Sequence, residues 1–231
     1  MIRWDAPGPY TVAFTTRTGG VSEGAFESLN LGLLTADSPE NVAENRRRAC
    51  EAVGADVDRL AMNRQVHGAS VHRAEAGKRG EPGDGLWTDE PGLPMLAVVA
   101  DCLPVALARV RDGAPALAVL HVGRLGLLEG ILDKAVAIVG NASAVIGPGI
   151  GPCCYEVGAE IAEPYRERFG EKVLQGRNLD LWTAAETALR EAGVTSVERL
   201  DVCTACNSDH FFSHRREQGV TGRQGVIGYV A

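Results

Sequence analysis

Lysine is nearly missing from this chain. Lys78, Lys134 and Lys172 are the only ones among 23 basic residues, so arginine carries almost all the positive charge. Genome composition and heat adaptation both produce that bias, and the sequence does not separate them. Positive charge is also short in net terms: 23 basic against 30 acidic residues give −7, with no long basic cluster. That argues against nucleic acid and anionic membrane as partners. No uninterrupted apolar run reaches membrane-spanning length, and Met1-Ile2-Arg3-Trp4-Asp5 holds no signal core, so a cytoplasmic protein is expected. Histidine is scarce too. His67, His72, His121, His210 and His214 are the five present, with no His-x-His pair, too few imidazoles for blue and trinuclear copper sites. There are six cysteines, which without a signal argue against a disulfide framework and leave metal binding, catalysis or burial. No composition break marks a linker and no repeat appears. With 45% hydrophobic residues, 1–231 is expected to form a single domain.

Hydrophobic patterning supplies the elements. Tyr10 to Thr16 alternates as a strand. Asp37-Ser38-Pro39-Glu40 reads as a capped helix start, and the helix should run to Val53 and stop at Gly54. Its apolar stripe is Val42, Ala49, Cys50 and Val53, and Arg46 falls on that stripe. A guanidinium on a buried face needs a partner, either a core carboxylate or a bound phosphate. A strand is expected from Arg64 to Glu75 with His67 inside it, followed by a polar loop from Lys78 to Gly85 that ends with Asp84. Met95 to Ala100 and Ala116 to Leu120 read as buried strands. One helix is expected from about Leu125 to Val139, its free N–H groups favouring anions. Ala142 to Ile146, Val197 to Val202 and Val226 to Val230 read as strands. Ala159–Phe169 and Leu181–Ala192 read as helices.

The chemistry gathers in Gln65-Val66-His67-Gly68, Ala100-Asp101-Cys102 and His121-Val122-Gly123. A Cys and a His at the ends of two buried strands are placed to face one crevice. With His67 they make an N,S,N set, which suits a zinc with one position open for water. Taken singly, His67 reads equally as a surface or satisfied core histidine and Cys102 as a buried thiol. Cys203 and Cys206 form a lone C-x-x-C pair. The nearest further cysteines, Cys153 and Cys154, are adjacent rather than paired at metal spacing, so a packed, redox-inert pair is expected. His72 should face solvent, and His214 reads as a pocket or a surface residue. Gly147 to Gly151 lacks the Walker lysine and reads as a turn that brings backbone toward the site.

At these residues the chain resembles the laccase-domain family, once called multicopper polyphenol oxidases and now read as zinc-dependent purine nucleoside phosphorylases that also deaminate adenosine. The resemblance spans nearly the whole chain. It runs through Thr16-Arg17-Thr18-Gly19-Gly20-Val21-Ser22, Ser28-Leu29-Asn30-Leu31-Gly32, Glu44-Asn45-Arg46 and the three ligand segments. It continues through Ile146 to Gly158, Phe211-Phe212-Ser213-His214-Arg215-Arg216 and Thr221-Gly222-Arg223. It implies an α+β fold, two packed mixed β-sheets with helices outside in α/β/β/α layers. It also implies one catalytic zinc on His67, Cys102 and His121, orthophosphate as co-substrate, and adenosine, inosine or methylthioadenosine as substrate. Arg46 is then the first phosphate candidate and Arg17 and Arg223 weaker ones. Asp84 joins the substrate-binding set, where it and Asp101 orient ligands or handle protons.

The chain departs from the family pattern at the third ligand. The family has His-Ala-Gly-Trp-Arg-Gly; here it reads His121-Val122-Gly123-Arg124-Leu125-Gly126, and His214 stands where the family has Tyr. Two other chemistries stay open. One is a thiol hydrolase with Cys102 as nucleophile and His121 as base; editing of peptidoglycan precursors, as in some bacterial relatives, fits it or a zinc hydrolase. The other is a non-enzymatic metal-binding protein.

Overall fold

Two sheets stack face to face, and helices cover both outer sides. The computed structural model describes residues 1–231. One sheet is four-stranded, in the order Ile2–Trp4, Tyr10–Phe14, Gln224–Val230, Met95–Val99, and antiparallel throughout. The other is six-stranded, in the order Ser196–Arg199, Ala142–Ile146, Leu103–Arg109, Leu117–Val122, Gly85–Thr88, Val71–Arg73. It is mixed: its outermost pairs are parallel and its inner ones antiparallel.

The two-residue period of a strand explains the layering. Phe14, Val226 and Ala97 lie in register and face the inter-sheet core. Their neighbours Ala13, Ile227 and Leu96 face the opposite way, onto Ala49, Cys50 and Val53 of the first helix and its end. In the six-stranded sheet Ala106, Val119 and Val145 fill the inter-sheet core, while Val105, Leu120 and Ala144 pack under the other helices. Both faces of its central strands are buried, which is why they read as unbroken apolar runs. The result is the α/β/β/α arrangement that the resemblance implied.

Helix α1 spans Pro39–Glu51, its Ser38 side chain accepting the Asn41 N–H at 3.3 Å, as the Ser-Pro start predicts. Helices α4 (Ala159–Phe169) and α5 (Leu181–Glu191) fall where periodicity puts them. The helix expected over 125–139 is two: α2 (Arg124–Leu128) and α3 (Ile131–Val139), separated at Gly130 with φ +80°. The apolar face runs in phase across that break, so periodicity carries no trace of it. His121 lies inside the strand Leu117–Val122, paired with Pro104, and not beyond its end. Arg64–Glu75 is not one strand. Met62–Arg64 and Val71–Arg73 are strands, and Arg79–Pro82, expected as loop, pairs with the first of them. No helix is long and apolar enough to cross a membrane.

Candidate active site

Asp84 explains why the chain turns at His67. Its buried carboxylate accepts the backbone N–H groups of Val66, His67 and Gly68 at 3.2, 3.0 and 2.8 Å. Wrapping three successive donors around one carboxylate breaks the expected strand and drives His67 to φ +61°, where a side chain is costly. The same carboxylate lies 2.7 Å from Nδ1 of His121. Burial opposes ionisation of Asp84, but the His121 ring and the Gly68 N–H hold its pKa below the ordinary value. With Nδ1 engaged, Nε2 of His121 is left to bind a ligand, the carboxylate–histidine arrangement typical of metal sites. Asp84 therefore stands behind the ligands as an orienting group and does not line the cavity, contrary to its grouping with substrate contacts. If the three donors hold a metal, Asp84→Asn should weaken its binding by roughly 10- to 100-fold, measured by chelator competition. Unchanged affinity would remove it from the support of the site.

Gln65 locks the neighbouring backbone by a two-way pair with Val98, donating to its oxygen at 2.7 Å and accepting its N–H at 2.9 Å. Val98 belongs to the strand that leads into the Asp101–Cys102 turn. Asp101 takes φ +88° there, and its carboxylate accepts the Thr204 hydroxyl at 2.6 Å and the Arg215 N–H at 2.7 Å. The ligand atoms of His67, Cys102 and His121 consequently fall within 4.8 Å of one another, with the imidazoles edge to face at 83°.

Gly123 completes the cradle. A Cβ there would lie 3.2 Å from the His67 ring, 3.4 Å from the Cys102 sulfur and 3.7 Å from the His121 ring. The absence of a side chain keeps room between the three donors, and two imidazoles and a thiolate are a zinc-type set with a position left for a fourth ligand. Burial pushes the Cys102 thiol up, but His121 and His67 outweigh it and bring it down to about 6. Burial likewise opposes charge on His121, but Cys102 and Asp84 raise it to about 9. Without a metal the two shifts describe a thiolate facing a protonated His121.

The three donors open into a cavity of about 960 Å³. Six arginines line it, Arg46, Arg64, Arg79, Arg124, Arg215 and Arg223, against one acid, Asp101. In a chain of net charge −7 this is a concentrated positive field. None of the six is ion-paired, although other arginines of the chain are, as in Arg59–Glu90 and Arg199–Glu186. Arg46 has no core carboxylate, so the ion-pair reading of its buried position is corrected. Its Nε and Nη2 instead donate to the Leu31 carbonyl at 3.0 and 2.8 Å. Burial and then Arg79 depress its pKa to about 10, the mark of a cation lacking a counter-charge. Arg223 donates to the Thr221 and Gly222 carbonyls, and burial lowers its pKa as well. Arg17 lies outside the cavity, bonded to the Glu27 and Ser208 carbonyls and stacked on Phe212 at 4.7 Å.

Sequence reading missed Arg64 and Arg79, which come from two short paired strands; Arg64 directly precedes the Gln65–Gly68 segment, and that position was the available signal. It also missed Tyr155 and Arg215 as a unit, the guanidinium lying 5.2 Å over the ring. Both stand in segments that carry the resemblance, so position there was the available signal. His214 lines the cavity at its exposed edge, while His72 and His210 do not line it.

The family model described as multi-copper polyphenol oxidoreductase laccase matches residues 11–230. A protein of Geobacillus stearothermophilus named purine nucleoside phosphorylase YlmD is 35% identical, over 96% of this chain and 91% of its own length. One of Deinococcus radiodurans, named purine nucleoside phosphorylase, is 40% identical over 93% of this chain and 87% of its own. The crystal structure of YlmD from Geobacillus stearothermophilus matches with a TM-score of 0.90 at 30% identity, covering 98% of this chain and 94% of that one.

Proposed function

The chain belongs to the multi-copper polyphenol oxidoreductase laccase family, and we propose that within it this protein is a zinc-dependent purine nucleoside phosphorylase that also deaminates adenosine. One observation carries the reading: six arginines without acidic partners share a cavity with a His/Cys/His donor triangle. Phosphorolysis needs the cationic part of that combination. An orthophosphate oxygen attacks the ribose C1′, the bond from C1′ to the purine nitrogen breaks, and the base departs with a proton. A monoanionic or dianionic co-substrate has to be held without a competing carboxylate, which is the state of Arg46 and Arg223. Tyr155, kept in place by Arg215, offers a ring on which a purine can stack. The copper of the family description suits this donor set poorly, since only His67 and His121 converge among the five histidines.

His67, Cys102 and His121 would hold a zinc ion, which would supply Lewis acidity to the cavity. The chain's own contribution is to hold that donor set rigid through Asp84 and to keep the cavity cationic. Deamination exchanges the purine C6 amino group for a water-derived oxygen, giving inosine and ammonia. The test is adenosine with and without phosphate, products separated by chromatography. Adenine release should require phosphate and yield ribose 1-phosphate, while inosine should form without it. No base release at any phosphate concentration would overturn the proposal.

A second reading has its own support. Cys102, His121 and Asp84 form the series expected of a thiol nucleophile, its base and the group orienting that base. A thiol hydrolase, with peptidoglycan precursors as the substrate suggested above, keeps its activity after chelation; the zinc enzyme loses it.

Restoring the family pair by Arg124→Trp with Leu125→Arg tests the pocket itself. The Arg124 backbone is held by the Tyr165 hydroxyl at 2.7 Å, so the exchange changes side chains on a fixed frame. An added stacking surface is worth about 0.5–1.5 kcal/mol, so kcat/KM for adenosine and inosine should rise roughly two- to tenfold. No change or a loss would mean that Arg124 already serves the site as one of its cations.

A further inference from the structure

Four of the six cysteines sit in two turns, Gly151–Tyr155 and Cys203–Cys206, more than forty positions apart in the chain. Their sulfurs all lie within 4.8 Å of one another. Cys206 is 3.4 Å from Cys153 and 3.3 Å from Cys154, sulfur to sulfur. This corrects the expectation of an isolated C-x-x-C pair beside two unsuitable cysteines: folding supplies the second pair that the spacing appeared to deny. All four are free thiols.

The backbone is built around the sulfurs. The Gly151 carbonyl accepts the N–H groups of Cys154 and Tyr155, both at 3.0 Å, which folds the Cys-Cys turn back on itself. The Gly151 N–H points at the Cys203 sulfur at 3.3 Å, and the Cys206 N–H points there too. Backbone donors aimed at a buried sulfur favour its thiolate form. A Cβ on Gly151 would lie 2.5 Å from the Trp182 ring and 3.3 Å from the Cys153 sulfur, so only glycine lets this turn approach. Thr204 and Gly149 lace the two turns together, the Thr204 N–H donating to the Gly149 carbonyl at 2.9 Å.

We propose that Cys153, Cys154, Cys203 and Cys206 bind a second zinc ion, a closed structural site separate from the His67, Cys102, His121 set. Zinc–sulfur bonds of about 2.3 Å in a tetrahedron place sulfurs about 3.8 Å apart, within the spread seen here, and four thiolates close the coordination sphere. A space bounded by sulfurs this near to one another admits a single ion and no multinuclear cluster. Soft tetrahedral thiolate sites select zinc among common divalent ions. Binding displaces the thiol protons to the buffer, with no change of oxidation state. Cys153 and Cys206 are exposed, so the ion has a route in.

The site would tie down the cavity wall. Thr204 inside the second turn donates to Asp101, whose neighbour is Cys102, and Tyr155 directly follows Cys154 and lines the cavity. Arg215 binds the Cys154 carbonyl at 3.3 Å and Arg216 the Thr204 carbonyl at 2.7 Å.

The four-cysteine site stands apart from what the cavity binds, while the two-ion count of the wild type also rests on the zinc reading of His67, Cys102 and His121. Wild-type protein purified under reducing conditions without chelator should carry about two zinc ions per chain. Cys102→Ser should retain one, and Cys102→Ser with Cys206→Ser none. Cobalt added to metal-free Cys102→Ser protein should give the intense thiolate charge-transfer and tetrahedral d–d absorption of a sulfur-only site. Should the double variant fail to fold, Cys153→Ser at the exposed position and the wild-type stoichiometry still decide. A folded Cys102→Ser protein that binds neither zinc nor cobalt overturns the proposal. So does wild-type protein saturating at one ion that Cys102→Ser removes. A disulfide among the four, found by thiol counting after denaturation in the protein as purified, overturns it as well.

Discussion

Cys102→Ala is expected to remove about one zinc ion per chain and to reduce both phosphorolysis and deamination to background. The expectation follows from how the three donors are held. His67 is fixed in a left-handed turn by three N–H bonds to Asp84, and His121 is fixed in a strand and by the same carboxylate. Neither imidazole can move to replace the sulfur, and no other cysteine or histidine joins their cluster. Two neutral imidazoles also lack the negative charge that a Cys102 thiolate brings to a metal ion. Metal analysis of the folded variant decides the matter, with a wild-type melting curve as the control for folding. Full retention of the ion would exclude Cys102 as a ligand. Loss of the ion with activity intact would move the assignment to a reaction that uses no metal.

The elements that sequence revealed are those specified locally. Ser38-Pro39 starts a helix because the cap and the missing N–H act within one turn. The strands Met95–Val99 and Leu117–Val122 are apolar on both faces because each enters a sheet that is covered on both. His121 and Cys102 were visible as candidates for the same reason, each adjoining such a run. The turn at His67 was not visible, because the carboxylate that organises it lies seventeen positions on in Asp84. The cationic cavity was invisible for a related reason. Arg46, Arg64, Arg79, Arg124, Arg215 and Arg223 come from separate segments, and the runs Arg46–Arg48 and Arg215–Arg216 each give the cavity only their first member. The cysteine cluster escaped spacing rules because its two halves, about fifty positions apart in the chain, meet only in the fold, at the Gly149–Cys203 bridge and the contacts around it.

Arg46→Ala should raise the phosphate KM by roughly 10- to 100-fold, the effect of about 1.5–3 kcal/mol for hydrogen bonds to a charged group. Adenosine deamination, which uses no phosphate, should keep most of its rate. The structure makes this separation sharper than helix position alone does. Arg46 spends Nε and Nη2 on the Leu31 carbonyl and has no acidic partner, so its charge remains uncompensated beside the cavity. A bound dianion is the partner this arrangement lacks, and it would return the guanidinium toward its ordinary pKa. The competing account gives Arg46 a mechanical role: it staples Leu31 of the preceding loop to α1, and alanine would leave that buried carbonyl unpaired. Arg46→Lys distinguishes the two. Lysine can still meet the carbonyl or the phosphate with one donor, but it cannot serve both as a planar guanidinium does. A phosphate role predicts a raised phosphate KM in both variants at a near-constant melting temperature for Arg46→Lys. If both activities fall in parallel with the melting temperature in each variant, Arg46 is a structural staple and the phosphate site must be built on Arg223 and the other cavity arginines.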